Sequence, residues 1–243
     1  TTTAKKKGAG WVIDGEKFVV LQGETADTLI VTARTKGGQR DRSGIGVFLV
    51  PANAKGVTVK GYPTQDGLRA ADIRFEGVEV GADAAIGDPE NGLPLVERVV
   101  DEARVALCAE AIGAMDESLK STVEYLKTRK QFGVAIGQFQ TLQHRAADMF
   151  VALEQARSMS IFASMASSFE DAKEREKAVA AAKVQIGKSS KFVGQQAIQL
   201  HGGVGMTMEL KIGHYFKRLT MIESTFGDTD YHLRRVSEAG NLV

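Results

Sequence analysis

Two short stretches hold the residue types that could do chemistry. QLHGGVGM, at 199–206, ends a long amphipathic run and sets Gly202, Gly203 and Gly205 behind Gln199 and His201. One glycine at a helix end is ordinarily a stop signal, closing a Schellman-type turn. A run of three has a second reading. Backbone without Cβ atoms lies open to a diphosphate or an adenine ring, with Gln199 as a hydrogen-bonding group and His201 as a donor. RKQFG, at 129–133, poses the same choice. Either Arg129 complements the dipole at a helix C-terminus with Gly133 as its cap, or its guanidinium projects from the helix end to meet an anion. The glycines do not form the dinucleotide fingerprint, which needs a strand before them and a helix after; here the helix comes first. His144, His201, His214 and His232 are scattered, with no paired spacing and no cysteine cluster, so no metal is expected. No nucleophile motif points to covalent catalysis.

The elements that must position these groups fall into two halves with different periods. WVIDGEKFVVL, with DG at 14–15, predicts a hairpin: strand, type I′ turn, strand. TLIVTAR (28–34), GVFLV (46–50), GVTVKGY (56–62) and ADIRFEGVEV (71–80) follow between turn-rich segments, which predicts a small antiparallel sheet or barrel. From about residue 92 the period becomes helical. Val96, Val99, Val100, Ala103, Leu107, Ala111, Met115, Leu119, Val123 and Leu126 step mostly by three or four and form one stripe. Helices over roughly 138–168 and 170–200, then a pair broken near Gly227, complete an antiparallel four-helix bundle. The expected class is α+β multidomain, with a β-domain over 1–88 and a helical bundle over 89–243.

Bulk properties narrow the function. Net charge is +1, with 43% hydrophobic and 25% charged residues, which gives no reason to expect nucleic acid or a membrane as partner. No apolar run is long enough to span a bilayer. The single cysteine, Cys108, reads as a buried small hydrophobe, and a cytoplasmic setting is the default for a chain that cannot form an internal disulfide. The chain opens TTTAKKKGAGW without methionine and reads as starting inside something longer.

The motifs in combination resemble the acyl-CoA dehydrogenase family over essentially the whole chain. They are DGEK with TADTLIVTAR, FEGVEV…IGDPENGL…VVDEAR, RKQFGVAIGQFQTLQHRAADM, and QLHGGVGM. The match covers that family's middle β-domain from partway in and its C-terminal four-helix domain; the N-terminal helical domain is absent. The R-x-x-F-G and Q-x-H-G-G-x-G motifs stand about 70 residues apart. The resemblance implies a flavoprotein oxidoreductase of fatty acid metabolism, one that uses FAD for α,β-dehydrogenation of an acyl-CoA thioester. A glutamate removes the α-proton, hydride goes to the flavin, and an electron-transfer flavoprotein accepts the electrons. The resemblance also implies a homo- or hetero-oligomer in which the FAD is shared across an interface. Arg129, Gln131, Phe132, Gln199, Gly202 and Gly203 would then hold the ADP portion of a neighbour's FAD. Thr229 would meet a phosphate, and Arg104 matches the family's arginine near the acyl-CoA.

Three positions depart from that pattern. The family's glutamate falls on Phe226 or Gly227, and neither accepts a proton. Asp228 and Glu102 are the remaining candidates. Some members carry the base just before the arginine; here that residue is Ala103. Glu102 lies one helical step of about 100° away and is expected on the surface. The flavin-facing Trp-Ile-Thr is replaced by Val19, Val20 and Leu21, which are expected to pack in a β-core. The losses fall on the chain's own flavin-and-base pocket, whereas the groups that would reach a neighbour's flavin remain. The expected role is a degenerate or non-catalytic subunit that completes a partner's FAD site. The alternatives are an active homo-oligomeric dehydrogenase with a relocated base and a non-enzymatic helical-bundle assembly protein.

Overall fold

A computed structural model describes residues 1–240. The chain divides into two compact units, Thr1–Arg98 and the part from Val99 onward.

The first unit is built on β1 (Thr3–Lys7), β2 (Gly10–Leu21), β3 (Thr28–Arg34), β4 (Ile45–Pro51), β5 (Val57–Pro63) and β6 (Arg69–Val80). They form one sheet in the order β4-β3-β1-β2-β6-β5. Every pairing is antiparallel except β1 with β3, which meet in parallel through Thr3 and Arg34. Side chains alternate across a strand, so Leu29, Val31 and Ala33 of β3 are buried. They join Ile13, Phe48, Ile73, Phe75 and Val78 in the core.

The hairpin expected at Asp14–Gly15 does not form. β2 runs through both residues as a single strand of 12, because it is paired on both sides. Gly10–Asp14 ladder with β1 and Trp11–Lys17 with β6. Gly15 absorbs the local irregularity with φ +134, and the Asp14 carboxylate accepts the Gly77 amide at 2.7 Å. A second irregularity lies between Lys17 and Val20. There Val19 has φ +53, rare for a β-branched residue, and its amide donates to Asp72 Oδ1 at 3.2 Å. Val20 packs against the core, but Phe18, Val19 and Leu21 are exposed. The expectation of a buried aliphatic run therefore fails for Val19 and Leu21, because the bulge turns them outward.

The second unit takes its shape from α1 (Leu93–Thr128), β7 (Lys130–Gln131), β8 (Val134–Ala135), α2 (Gln140–Ala166), α3 (Ala172–His201), α4 (Lys211–Ser224) and α5 (Thr229–Ala239). Met115, Leu119, Met149, Leu153, Ile186, Ile212, Leu219 and Ile222 fill its core. Cys108 is buried among them, and desolvation pushes its thiol up to about 11. Asp171 caps α3 by accepting from the Lys173 and Glu174 amides, and Asp228 caps α5 by accepting from Tyr231. The leftover carbonyls at the end of α4 find Lys183. Its buried ammonium donates to Ile222 O at 2.6 Å, Glu223 O at 3.2 Å and Thr225 O at 3.1 Å. Burial lowers the Lys183 pKa. No helix among the described residues is long and apolar enough to cross a membrane.

Candidate functional site

The end of α1 does not close as the RKQFG stretch suggested. The helix stops at Thr128, and Gly133 is no cap; it belongs to a two-residue hairpin loop joining β7 to β8. Phe132 and Gly133 have φ +56 and +81, the pattern of a type I′ turn. Phenylalanine is a poor residue for that position, since left-handed backbone costs a residue with a Cβ roughly 1–2 kcal/mol. The ring is also 89% exposed, with Phe139 edge-on at 6.0 Å.

The end of α3 separates the two readings of the glycine run. Gly202 has φ +61 and returns its amide to Gln199 O, so it performs the helix stop. Gly203 has no left-handed backbone, and a Cβ there would meet nothing within 4 Å. Neither strain nor packing within the chain requires glycine at 203.

Arg129, Gln131, Gln199, Gly202 and Gly203 line one cleft of about 500 Å³, together with Tyr125, Thr141, Arg145, His201 and neighbouring apolar residues. No aspartate or glutamate lines it. Two guanidinium groups in a cleft without carboxylates favour an anion, and guanidinium geometry suits phosphate oxygens. Arg145 also donates to Gln196 Oε1 at 3.3 Å. His201 is not the free donor expected of it. It is buried, its Nδ1–H donates to Ala197 O at 2.8 Å, and its ring stacks on Tyr125 at 4.5 Å. Burial lowers its pKa, which favours the neutral ring. Phe132 and Thr229 are not among the residues lining the cleft.

Phe226 and Gly227, the two positions on which the resemblance would put the family's base, lie in the turn between α4 and α5. Phe226 has φ +57 and Gly227 φ +106. The Phe226 carbonyl accepts from Arg104 Nε at 3.0 Å and from His232 Nε2 at 3.2 Å. Arg104 also donates to Asp101 Oδ1 at 3.1 Å, and its guanidinium lies 5.9 Å from the Tyr231 ring. Buried Asp101 takes Arg175 Nε at 3.4 Å as well. Asp228 spends its carboxylate on the Tyr231 amide at 2.7 Å. Thr229 donates both its amide and its hydroxyl to Glu223 Oε1 at 2.8 Å. Glu102 is exposed. His232 is 1% exposed, and its Nδ1 has no hydrogen-bond partner among the described residues. Burial, then the charges of Arg104 and Lys183, push this imidazole down to about 4.

Sequence reasoning missed Arg145 and His232. Thr141 and Arg145 stand four apart and so share a face of α2, which was a usable signal once Arg129 was in question. His232 gave none. Among the described residues, no group of three His, Cys, Asp or Glu side chains could hold a metal ion.

Residues 1–78 match the family model described as acyl-CoA dehydrogenase, middle domain, and residues 90–240 match acyl-CoA dehydrogenase, C-terminal domain. The short-chain specific mitochondrial acyl-CoA dehydrogenase of Mus musculus is 29% identical over 100% of this chain and 58% of its own length. This chain therefore spans little more than half of that relative. A solved FAD-dependent dehydrogenase is 29% identical with a TM-score of 0.93, over 100% of this chain and 66% of that one. The ChsE4-ChsE5 complex from Mycobacterium tuberculosis is 25% identical with a TM-score of 0.88, over 100% of this chain and 63% of that one.

Proposed function

The chain belongs to the acyl-CoA dehydrogenase family, and from that premise we propose that it is a subunit that completes a partner's FAD site without abstracting a proton itself. One observation carries this reading: the cleft between the ends of α1 and α3 presents Arg129 and Arg145 with no carboxylate and a glycine at 203 that the fold does not require. In this role Arg129 and Arg145 pair with the diphosphate of the FAD, Gln199 and Gln131 offer hydrogen bonds, and the Gly202–Gly203 backbone lies against it. Phe132, strained and exposed beside the cleft, supplies an apolar wall for the adenine. When bound, FAD would accept the hydride in the α,β-dehydrogenation of an acyl-CoA thioester and pass electrons to an electron-transfer flavoprotein. In this reading the turn at 226–228 supplies no base: Phe226 and Gly227 cannot accept a proton, and the Asp228 carboxylate serves as the cap of α5 through Oδ1. The partner therefore supplies the base and most of the flavin contacts. Assembly from two such chains has a parallel in the ChsE4-ChsE5 complex.

The visible spectrum of the full-length protein tests this, first purified alone and then after co-expression with a base-bearing member of the same family. The expected result is a colourless protein alone and a yellow complex. Loss of one charge-assisted contact, at about 1.5–3 kcal/mol, makes Arg129→Ala weaken flavin binding by roughly 10- to 100-fold. Unchanged flavin affinity in that variant, or a yellow protein alone that an acyl-CoA bleaches, would refute the proposal.

A further inference from the structure

α2 is apolar on two sides. Met149, Leu153, Ala156 and Ala163 are buried in the core. Phe150, Val151, Ile161, Phe162 and Met165, on the same helix, are 42–64% exposed. A surface helix ordinarily sets one apolar stripe against a polar face, and a helix apolar all round is a covered helix. The charged residues between Phe150 and Met165 are Glu154 and Arg157. They pair with each other at 3.0 Å, and Arg157 also reaches Asp116 of α1 at 3.3 Å. The exposed Ser158 turns its hydroxyl inward, donating to Glu154 O at 3.1 Å. This stretch therefore keeps no unpaired charge. Its five large side chains, each about half exposed, present roughly 500 Å² of apolar surface, a patch of the size that marks an interaction surface. Two such patches face to face make about 1,000 Å², where specific interfaces begin.

We propose that the outer side of α2 docks a second copy of this chain, with the two helices antiparallel and a twofold axis at Ser158. A twofold contact needs no second surface, because one patch meets itself. A charged or polar partner would leave these side chains without apolar neighbours, whereas the same patch on another copy supplies them. Antiparallel pairing about Ser158 also sets smaller side chains against larger ones. Val151 of one copy faces Met165 of the other, and the exposed Ala147 faces Phe169, each pair lying at equal distances in sequence from residue 158. The serine at the axis is small enough for the two backbones to approach. The cleft takes only Thr141, Leu142 and Arg145 from α2, so this surface lies outside it and does not rest on the flavin reading.

Disulfide crosslinking of the full-length protein, purified alone, tests the contact. Ser158→Cys places a thiol on the axis, and the native Cys108 is buried and out of reach of another molecule. Gln195→Cys, exposed on α3, reports random collision. A disulfide needs Cα atoms within about 7 Å, so mild oxidation should give about fivefold more covalent dimer from Ser158→Cys than from Gln195→Cys. Equal yields would overturn the proposal. So would a Ser158→Cys crosslink that forms only to a co-expressed base-bearing family member, which would assign the face to that partner. Val151→Lys with Ile161→Lys then charges the patch at exposed positions. The mass found by sedimentation should fall by half, with the circular dichroism spectrum retained. An unchanged mass in that folded variant would also overturn the proposal. Neither measurement uses flavin, so the α2 contact and the helper-subunit reading can fail separately.

Discussion

Lowering the pH from 7 to 5 should cost this fold stability through His232 before most carboxylates begin to titrate. Its imidazole is 1% exposed and held down to about 4, by burial first and then by Arg104 and Lys183. The unfolded chain returns it to the ordinary value of 6.5. Between those values the unfolded state binds a proton that the folded state refuses. The stability present above 6.5 is therefore lost as pH falls through this window and levels off below about 4. One pH unit of difference is worth about 1.36 kcal/mol, so the whole window amounts to about 3 kcal/mol. Integrating only from pH 7 to pH 5 leaves about 2 kcal/mol. At 1% exposure solvent screening does not reduce this much. Urea unfolding followed by circular dichroism at pH 7, 6 and 5 measures it, with His232→Gln as comparison. Glutamine keeps a donor for the Phe226 carbonyl and has no proton to gain. His201 also has a burial-lowered pKa, but it titrates in both proteins, so the difference between them isolates His232. The variant's stability should fall by about 2 kcal/mol less over this range. Parallel pH profiles would refute the assignment of a buried, neutral imidazole.

Two further substitutions probe opposite features of the second unit. Lys183→Met keeps the aliphatic volume but leaves the carbonyls at the end of α4 without their shared donor; unfolding in urea should show a loss of about 3 kcal/mol. Phe132→Asn places a residue that tolerates left-handed backbone in the turn between β7 and β8. It should stabilise the protein by about 1 kcal/mol while lowering the flavin retained by the complex, with Tm and flavin absorbance read on the same samples.

How far the sequence could be read depended on whether a signal was local. TLIVTAR gave β3 at its observed bounds because alternation and flanking turns both lie within the segment. The long helical runs gave α1 to α3 for the same reason. The DG dipeptide at 14–15 failed because its turn preference competes with two ladders, one of them to Thr3–Lys7, and the opening residues were not recognised as a strand. The cleft was legible in outline by parity. With α2 between them, α1 and α3 run in the same direction, so Arg129 and Gln199, about 70 residues apart in sequence, arrive at one end of the bundle. Arg145 was reachable by the same reasoning carried one turn into α2.

The turn at Gly227 was legible only as an absence, because the packing of the Tyr231 and His232 rings against a missing Cβ is a matter of ångströms. The two places then separate on physical grounds. At the turn, Gly227 takes left-handed backbone, Asp228 caps α5, and Arg104 and His232 satisfy a carbonyl, while Phe226 is held at φ +57. At the cleft, local choices run against the fold: Phe132 is strained and exposed, Gly203 forgoes a side chain that would fit, and two cations share one surface. Sequences depart from what folding favours mainly where something else is selected. The unpaired demands at the cleft support the proposed role of the ends of α1 and α3 in meeting a partner's flavin.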